Sequence, residues 1–217
     1  MKLVTFQTKE ALATLQKTGV LRADVVHIDL KKYGVPYNWI VQEMKKKKIC
    51  PKRGEKYPLW AWAKCGSSLA PPKKKNYSGK KQKLVKITFE KPDGEVLLSD
   101  YMAYSFILSG HIIPKTKTEY QQFLRKMENS LDALKAFVRQ DKGGKGVAKL
   151  FPTIQKTWSR MFAMKSNVWQ ACVWDIKLSD VKKIEILNDP AYVYGTMNAK
   201  RSNGTRPDWK KRYLKFL

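Results

Sequence analysis

The sequence predicts an α+β protein with a single domain over residues 1–199 and a basic, aromatic tail over residues 200–217. The chain of 217 residues is short enough to be organised around one core. Hydrophobic residues make up 43% of it, including seven Trp, so there is enough apolar surface to offset the entropy of ordering the chain. Segments in which apolar residues alternate are interspersed with segments in which they recur at helical spacing.

The N-terminal segment has the pattern of a strand followed by a helix. LVTFQT predicts the strand, and KEALATLQKTGVL predicts the helix, because Ala11, Leu12 and Leu15 form an apolar stripe that ends at Gly19. A second helix is predicted over residues 37–48, with Trp39 on its apolar side and four lysines at its end. Cations at that end favour the helix because they suit its dipole.

The middle of the chain has the pattern of buried strands around a basic loop. YPLWAWAK predicts one strand, and LVKITFE, the turn PDG and VLLSDY predict a β-hairpin. Between them, residues 66–83 combine proline, glycine and lysine and predict a mobile basic loop.

The C-terminal half predicts two helices and then two strands. An amphipathic helix is expected over residues 118–140 and a shorter one over residues 154–164, which contains Trp158 and Phe162. VWQACVWDIKL and LSDVKKIEIL then predict two consecutive strands.

The charge of the chain indicates a polyanionic partner. The formal net charge is +26, and residues 31–86 hold 17 Lys or Arg against only Glu43 and Glu55. Phosphates neutralise such a surface and release condensed counterions, so nucleic acid is the leading candidate, ahead of an anionic membrane. A solubilising surface is the alternative, although such surfaces normally mix both signs. The predicted phosphate contacts are Lys45, Lys46, Lys47, Lys48, Lys73, Lys74, Lys75, Lys80, Lys81, Lys83, Lys210, Lys211 and Arg212.

The tail combines cations with aromatic rings. Trp209, Tyr213 and Phe216 alternate with seven basic residues from Lys200 onward. Such rings could stack on bases while the cations follow the phosphates. Equally, they could pack a C-terminal helix onto the core.

Several functional classes lack the signals that they require. No apolar run reaches the roughly 20 residues of a membrane helix and no signal peptide is apparent, so we expect a cytoplasmic protein. Cys50, Cys65 and Cys172 have no zinc-ligand spacing, which predicts free thiols and no metal. No Ser or Cys beside His27 or His111 forms a nucleophile motif, and no phosphate-binding glycine loop is present.

Six short blocks resemble, in the same order, a bacterial and phage family of uncharacterised domains. They are LVTFQTKEALATLQKTGVLRAD, YNWIVQEM, YPLWAWAK, VLLSDY, TWSRMF and WQACVWDIKLSDVKKI. The resemblance spans residues 1 to about 187 and implies no function.

The same segments have a more distant resemblance to ADP-ribosyltransferase folds. FQT, the following helix and Gly19 are similar to the opening of that fold, YPLWAWAK to its second strand, and WQACVWDIKLSDVKKIEIL to its closing strands. The resemblance implies a split β-sheet core with flanking helices, NAD as cofactor, and catalytic roles for Gln170, which holds the ribose, and Trp169, which faces the acceptor. It also implies that NAD is contacted by Gln7, Thr8, Trp60 and Trp62. Arg22 could pair bidentately with the diphosphate of NAD, and Ser99, a hydroxyl next to the carboxylate of Asp100 at a strand end, could bind the same ligand.

Several of these residues also have a structural interpretation. Thr8 could cap the first helix, and Ser99 or Asp100 could cap a helix that begins at Tyr101. Trp60 and Trp62 could be core residues.

Gln170 stands where most of these enzymes have glutamate, and an amide can hydrogen-bond the ribose but supplies no charge. Another carboxylate such as Asp175 or Asp100 could serve, the chemistry could differ, or the activity could be lost.

Two functions follow as hypotheses. The first is an NAD-dependent ADP-ribosyltransferase that modifies nucleic acid, with RNA favoured over DNA, and that acts as a toxin or phage-defence effector. The second is a non-enzymatic, basic nucleic-acid-binding protein. An acidic antitoxin or inhibitor that masks the basic surface could accompany either one.

Overall fold

The computed structural model describes residues 1–69, 84–140, 146–187 and 209–217 and has an α+β fold. The chain divides into two compact units. The first comprises Met1–Ala23, Pro51–Leu98 and Gln170–Asp208, and the second Asp24–Cys50, Ser99–Trp169 and Trp209–Leu217. The α+β prediction is confirmed, whereas a single domain over residues 1–199 stays a prediction.

Six strands form one sheet, and two short strands form another. The six are β1 (Lys2–Thr8), β3 (Leu59–Cys65), β4 (Leu84–Glu90), β5 (Leu97–Asp100), β6 (Val168–Val173) and β8 (Val181–Leu187). Their order across the sheet is β5-β6-β3-β1-β4-β8. Strand β1 pairs antiparallel with both β3 and β4, and β4 pairs antiparallel with β8. The short pair consists of β2 (Val20–Arg22) and β7 (Asp175–Lys177).

The core of the first unit covers one face of the large sheet. Helix α1 (Lys9–Thr18) follows β1, begins at a cap in which the backbone N–H of Ala11 donates to Thr8 Oγ1, and ends at Gly19, whose φ is 74°. Both ends agree with the sequence prediction. The buried members of this core are Leu3, Leu12, Leu15, Leu21, Leu59, Ala61, Val85, Ile87, Phe89, Val96, Ala171, Val173 and Ile176.

The second unit is built mainly from helices. They are α2 (Leu30–Lys46), α3 (Tyr101–Ile107), α4 (Lys117–Lys126), α5 (Leu131–Val138), α6 (Phe151–Lys156) and α7 (Trp209–Tyr213). Trp158, Phe106 and Ile107 are fully buried in this unit. Asp100 caps α3, as one of the sequence alternatives predicted.

The predicted hairpin between LVKITFE and VLLSDY is wrong. Strand β4 lies between β1 and β8, whereas β5 lies at the opposite edge of the sheet beside β6. All seven residues of β4 are in register with β1, so one edge of β4 is already occupied, and β8 takes the other. A 3₁₀ turn over Asp93–Glu95 separates the two segments.

Three predicted helices have different bounds. Helix α2 begins seven residues earlier than expected, because Asp29 caps it through a hydrogen bond from the Lys32 N–H, and it accommodates Pro36. The helix expected over residues 118–140 is interrupted by a 3₁₀ turn at Glu128–Ser130, where the Ser130 N–H donates to the carbonyl oxygen of Met127. The helix expected over residues 154–164 becomes α6 followed by a 3₁₀ segment, Trp158–Ala163.

Candidate functional site

Gln170 is a buried amide on β6. Its side chain is 5% exposed, and within the described parts of the chain its Nε2 has no hydrogen-bond partner. Its neighbours Ala171 and Val173 belong to the core of the first unit. Ala171 and Gln170 are adjacent on the strand and therefore point to opposite faces, so Gln170 lies on the face away from that core. A buried donor without an acceptor costs free energy and so marks a place where a ligand could bind.

Trp60 and Trp62 lie on the same face of the sheet as Gln170. Strand β3, which carries both, is next to β6 in the sheet. Leu59 and Ala61 belong to the core, so the two indoles point to the other side. Both tryptophans are half-buried. The structure thus places the predicted catalytic Gln170 and two of the predicted NAD-contacting residues on one face of two neighbouring strands.

Gln7 lies on the opposite face of the sheet. Its register partner on β4 is Val85, a core residue. Gln7 Nε2 donates to Thr5 Oγ1 at 2.8 Å, and that hydroxyl donates to the carbonyl oxygen of Trp60 at 3.0 Å. The side chain of Gln7 is therefore tied to the strand backbone rather than placed beside the indoles.

Arg22 is held in an ion pair. Its Nε lies 2.8 Å from Glu55 Oε1, and the Glu55 side chain is only 2% exposed. Burial acts to raise the pKa of Glu55, but hydrogen bonds from the Arg53 backbone, from its own backbone and from Arg22 outweigh it and lower the pKa below its ordinary value. Arg22 thus stabilises its own unit, and its contact with a diphosphate stays a prediction.

Two carboxylates considered as substitutes for Gln170 are engaged elsewhere. Asp175 Oδ1 lies 2.6 Å from the ammonium of Lys91, a buried lysine that also pairs with Asp180 at 2.7 Å. Burial acts to lower the pKa of Lys91, but the hydrogen bonds that its ammonium donates to Asp175 and Asp180 raise the pKa above its ordinary value. No sequence pattern distinguishes Lys91 from the other lysines, so its burial could not have been predicted.

Asp100 is fully buried in the second unit. Its carboxylate accepts hydrogen bonds from the backbone of Met102 and Ala103 and from both the backbone and the hydroxyl of Ser166. Burial raises the pKa of Asp100, and these four hydrogen bonds act in the opposite direction. Asp100 is thus an anchor between the start of α3 and the segment before β6.

Two further predicted site residues lie beside this anchor in sequence. Ser99 is fully buried, and its hydroxyl has no partner among the described residues. Trp169 Nε1 donates to the carbonyl oxygen of Ser166 at 2.6 Å. Their roles towards a cofactor or an acceptor stay predictions.

The predicted phosphate contacts are only partly described. Lys45, Lys46, Lys47 and Lys48 are exposed at the C-terminal end of α2. The lysines of residues 73–83 lie outside the described part of the chain, as does the side chain of Arg212. Lys210 Nζ lies 3.3 Å from His111 Nδ1, and Lys211 is exposed.

The tail contributes a packing residue to the second unit. Tyr213 is 1% exposed and meets the ring of Phe106 edge-on at 5.5 Å, as the packing interpretation predicted. Phe216, in contrast, is 40% exposed.

His111 is a buried residue that the sequence did not single out for a structural role. Its Nδ1 lies 3.0 Å from the hydroxyl of Tyr120. Burial, together with the charges of Lys210 and Lys135, lowers the pKa of His111 from 6.5 to about 3. The imidazole is therefore neutral in the folded protein at neutral pH.

Two kinds of feature are absent from the described residues. Across residues 1–69, 84–140, 146–187 and 209–217, no group of His, Cys, Asp or Glu side chains could hold a metal ion. Within the same ranges, no helix has the length and apolarity needed to cross a bilayer.

The fold and the site define an α+β protein with a buried amide donor on the same face of the sheet as two tryptophans of the neighbouring strand. The family model of the domain of unknown function DUF3841 matches residues 2–182, so the chain belongs to that family. This confirms the resemblance of the six sequence blocks to an uncharacterised family. No curated protein and no solved structure matches the chain.

Proposed function

We propose that this protein is an NAD-dependent ADP-ribosyltransferase that modifies nucleic acid, with RNA favoured over DNA. The observation that carries the proposal is the buried, unpartnered Nε2 of Gln170, on the same face of the sheet as Trp60 and Trp62. An amide donor and indole rings on one face of neighbouring strands fit a ligand that combines hydroxyl acceptors with a flat heterocycle.

The order of the elements supports the same proposal. The opening β1–α1–β2 segment, the strand β3 and the closing β6, β7 and β8 follow the layout that the resemblance implies. Strands β6 and β3 are neighbours in the sheet. In an ADP-ribosyltransferase-like split sheet, this neighbourhood would hold the ribose and the nicotinamide side by side.

In this proposal the residues bind and orient, and NAD supplies the reactive bond. The bond between the ribose C1′ and the nicotinamide nitrogen breaks, a nucleophilic atom of the acceptor bonds to C1′, and the proton of that atom leaves to solvent. Gln170 would donate to a ribose hydroxyl, and Trp60 or Trp62 would stack on the nicotinamide. An amide cannot offset the positive charge that develops on the ribose, so we expect a slower reaction than with glutamate.

Release of nicotinamide from labelled NAD by the purified full chain tests this proposal. Gln170→Met keeps the side-chain volume but removes the donor, so it is expected to abolish release. Gln121→Met makes the same change at an exposed position of α4 and should leave release unchanged. Release that is equal in all three proteins, or absent from the wild type with and without RNA, would overturn the proposal.

A second candidate function is nucleic-acid binding without chemistry. The exposed Lys45, Lys46, Lys47 and Lys48 at the end of α2 favour it. It predicts salt-dependent binding of nucleic acid, no nicotinamide release, and no effect of Gln170→Met on binding. In either case, an acidic antitoxin or inhibitor would compete with nucleic acid for these lysines, as expected for a toxin or phage-defence effector.

A further inference from the structure

An aromatic column runs from the interior of the second unit to its surface. Trp158 is fully buried and donates its Nε1–H to the carbonyl oxygen of His111 at 3.0 Å. Trp39 meets Trp158 edge-on, with ring centroids 5.5 Å apart. Phe162 stacks on Trp39, with centroids 5.9 Å apart and planes 14° from parallel. Two buried indoles thus support the ring of Phe162 from below.

Phe162 is the half-buried end of this column, and a cation lies over it. Lys47 Nζ is 5.0 Å from the centroid of its ring, within the range of a cation–π contact. The 3₁₀ segment Trp158–Ala163 positions the ring, and the C-terminal turn of α2 positions the lysine. Trp39 therefore lies against the ring, and the only other group over it is the exposed side chain of Lys47 at the end of α2, among the described residues.

The lysines near Lys47 and Phe162 in sequence differ in their contacts. Lys46 Nζ pairs with Glu43 Oε1 at 2.6 Å, so the acid nearest in sequence is neutralised by its own helix. Lys45 and Lys48, which flank Lys46 and Lys47 in sequence, are exposed. Lys165, three residues after Phe162, is exposed as well. The result is a supported aromatic ring with one cation over it and further exposed lysines close to Lys47 or Phe162 in sequence.

We propose that Phe162 is a stacking platform for a base of single-stranded nucleic acid, in which the base displaces the exposed Lys47 side chain from the ring and Lys47 and Lys48 contact the flanking phosphates. An exposed base can stack on a supported ring while lysines follow the backbone, whereas the bases of a duplex are already stacked on one another. This deepens the proposed function by specifying the conformation of the acceptor. It rests only on the acceptor half of that function.

The alternative is that the contact between Lys47 and Phe162 merely stabilises the end of α2. In that case the lysines would bind duplex and single strand alike, through charge alone. The two possibilities therefore differ in how a change at Phe162 affects each form of nucleic acid.

Fluorescence anisotropy of the full chain with labelled RNA of about 12 nucleotides, without NAD, distinguishes them. Phe162→Leu removes the ring and keeps an apolar side chain, so single-strand affinity is expected to fall about tenfold with an unchanged salt slope. Phe162→Tyr should bind as the wild type does. Lys48→Gln should instead reduce the single-strand salt slope by about 0.7.

Binding to a duplex of the same length is the matched comparison. We expect Phe162→Leu to leave duplex affinity unchanged. Equal affinity of wild type and Phe162→Leu for single strands would overturn the platform. So would an equal loss of affinity for both forms by a correctly folded variant.

A second measurement keeps the test decisive if Phe162→Leu does not fold. Phe162→Trp places an indole at the platform, and a stacked base is expected to quench its fluorescence relative to the wild type. No additional quenching at saturating single-stranded RNA would contradict the proposal. Because neither assay contains NAD, failure of the platform and failure of transferase chemistry are separate results.

Discussion

Asp100 and Gln170 are both buried polar residues, but they differ in the number of their partners. Asp100 accepts four hydrogen bonds, so its desolvation is compensated within the second unit. Gln170 Nε2 has no acceptor among the described residues. The first arrangement is expected of a structural anchor, and the second supports the ligand-binding role proposed for Gln170.

Replacing Gln170 should therefore separate stability from activity. An unpartnered buried donor costs about 1–3 kcal/mol, and an apolar side chain of similar shape removes that cost. We expect the free energy of unfolding of Gln170→Met, measured by urea denaturation, to equal or exceed that of the wild type. A marked loss would mean that the amide has a structural partner, and Gln121→Met controls for the chemical change itself.

His111 should make the protein less stable as the pH falls. Its pKa is about 3 in the fold and near 6.5 when unfolded, so between these values the unfolded chain binds a proton that the folded chain does not. Stability is therefore full above about pH 6.5 and falls by up to about 1.4 kcal/mol per pH unit below it.

The variant His111→Asn isolates this contribution. Its free energy of unfolding should change less between pH 7 and pH 4 than that of the wild type. His27→Asn, at an exposed position, should retain the wild-type dependence. Parallel pH profiles for the wild type and His111→Asn would show that His111 is not the titrating group.

Two glycines at helix ends differ in what surrounds them. Gly19 ends α1 with a φ of 74°, and a Cβ there would meet nothing within 4 Å. Gly110, just after α3, has a φ of 69°, and its Cβ would lie 2.7 Å from the carbonyl oxygen of Leu134 in α5. Both need the left-handed backbone region, but only Gly110 also needs the space.

Alanine substitutions at these glycines should have unequal effects. Gly19→Ala introduces backbone strain alone and is expected to cost about 1 kcal/mol of unfolding free energy. Gly110→Ala adds a clash with the backbone of α5 and should cost more than about 2 kcal/mol. Urea denaturation of both variants measures this, and equal losses would mean that α5 shifts to accommodate the methyl group.

At the scale of elements, local sequence patterns predicted whether a segment forms a helix or a strand better than they predicted which strands pair. The first strand and helix, the cap at Thr8 and the left-handed Gly19 follow from short-range rules and were predicted correctly. The hairpin failed because strand pairing depends on distant segments, here β1 and β8, that compete for the edges of β4. Helix α2 extends through Pro36 because its cap at Asp29 lies upstream of the apolar stripe.

The candidate site was predictable only in part. The alternation of side chains along each strand predicts that Trp60 and Trp62 share one face of β3 and that Gln170 lies on the face of β6 opposite to Ala171. That these two faces belong to the same side of the sheet follows only from the pairing of β3 with β6. Their neighbourhood is a long-range property that the sequence does not encode locally. The stacking of Phe162 on Trp39 was missed for the same reason, because the two residues are far apart in sequence and meet only after folding.

At the scale of the whole molecule, salt should have opposite effects on stability and on binding. With a net charge of +26, self-repulsion destabilises the free protein, and screening relieves it. Raising salt from about 0.05 M to about 0.5 M should therefore raise the melting temperature. The affinity for RNA should fall over the same range, because the release of counterions becomes less favourable as the bulk salt concentration rises.

The two responses can be followed in one salt series, by thermal unfolding and by anisotropy. Sodium chloride rather than sulfate is used, because sulfate stabilises proteins by exclusion from their surface. An affinity that does not depend on salt would contradict a phosphate-binding role for the lysines.

Transfer of label from NAD to nucleic acid tests the central claim most directly. NAD labelled in its adenylate half is incubated with the full chain and single-stranded RNA, and the RNA is then separated and counted. We predict that the wild type transfers label to RNA and that Gln170→Met does not, although it binds RNA equally well. RNA that is bound by the wild type but carries no label would contradict the transferase and leave a nucleic-acid-binding protein.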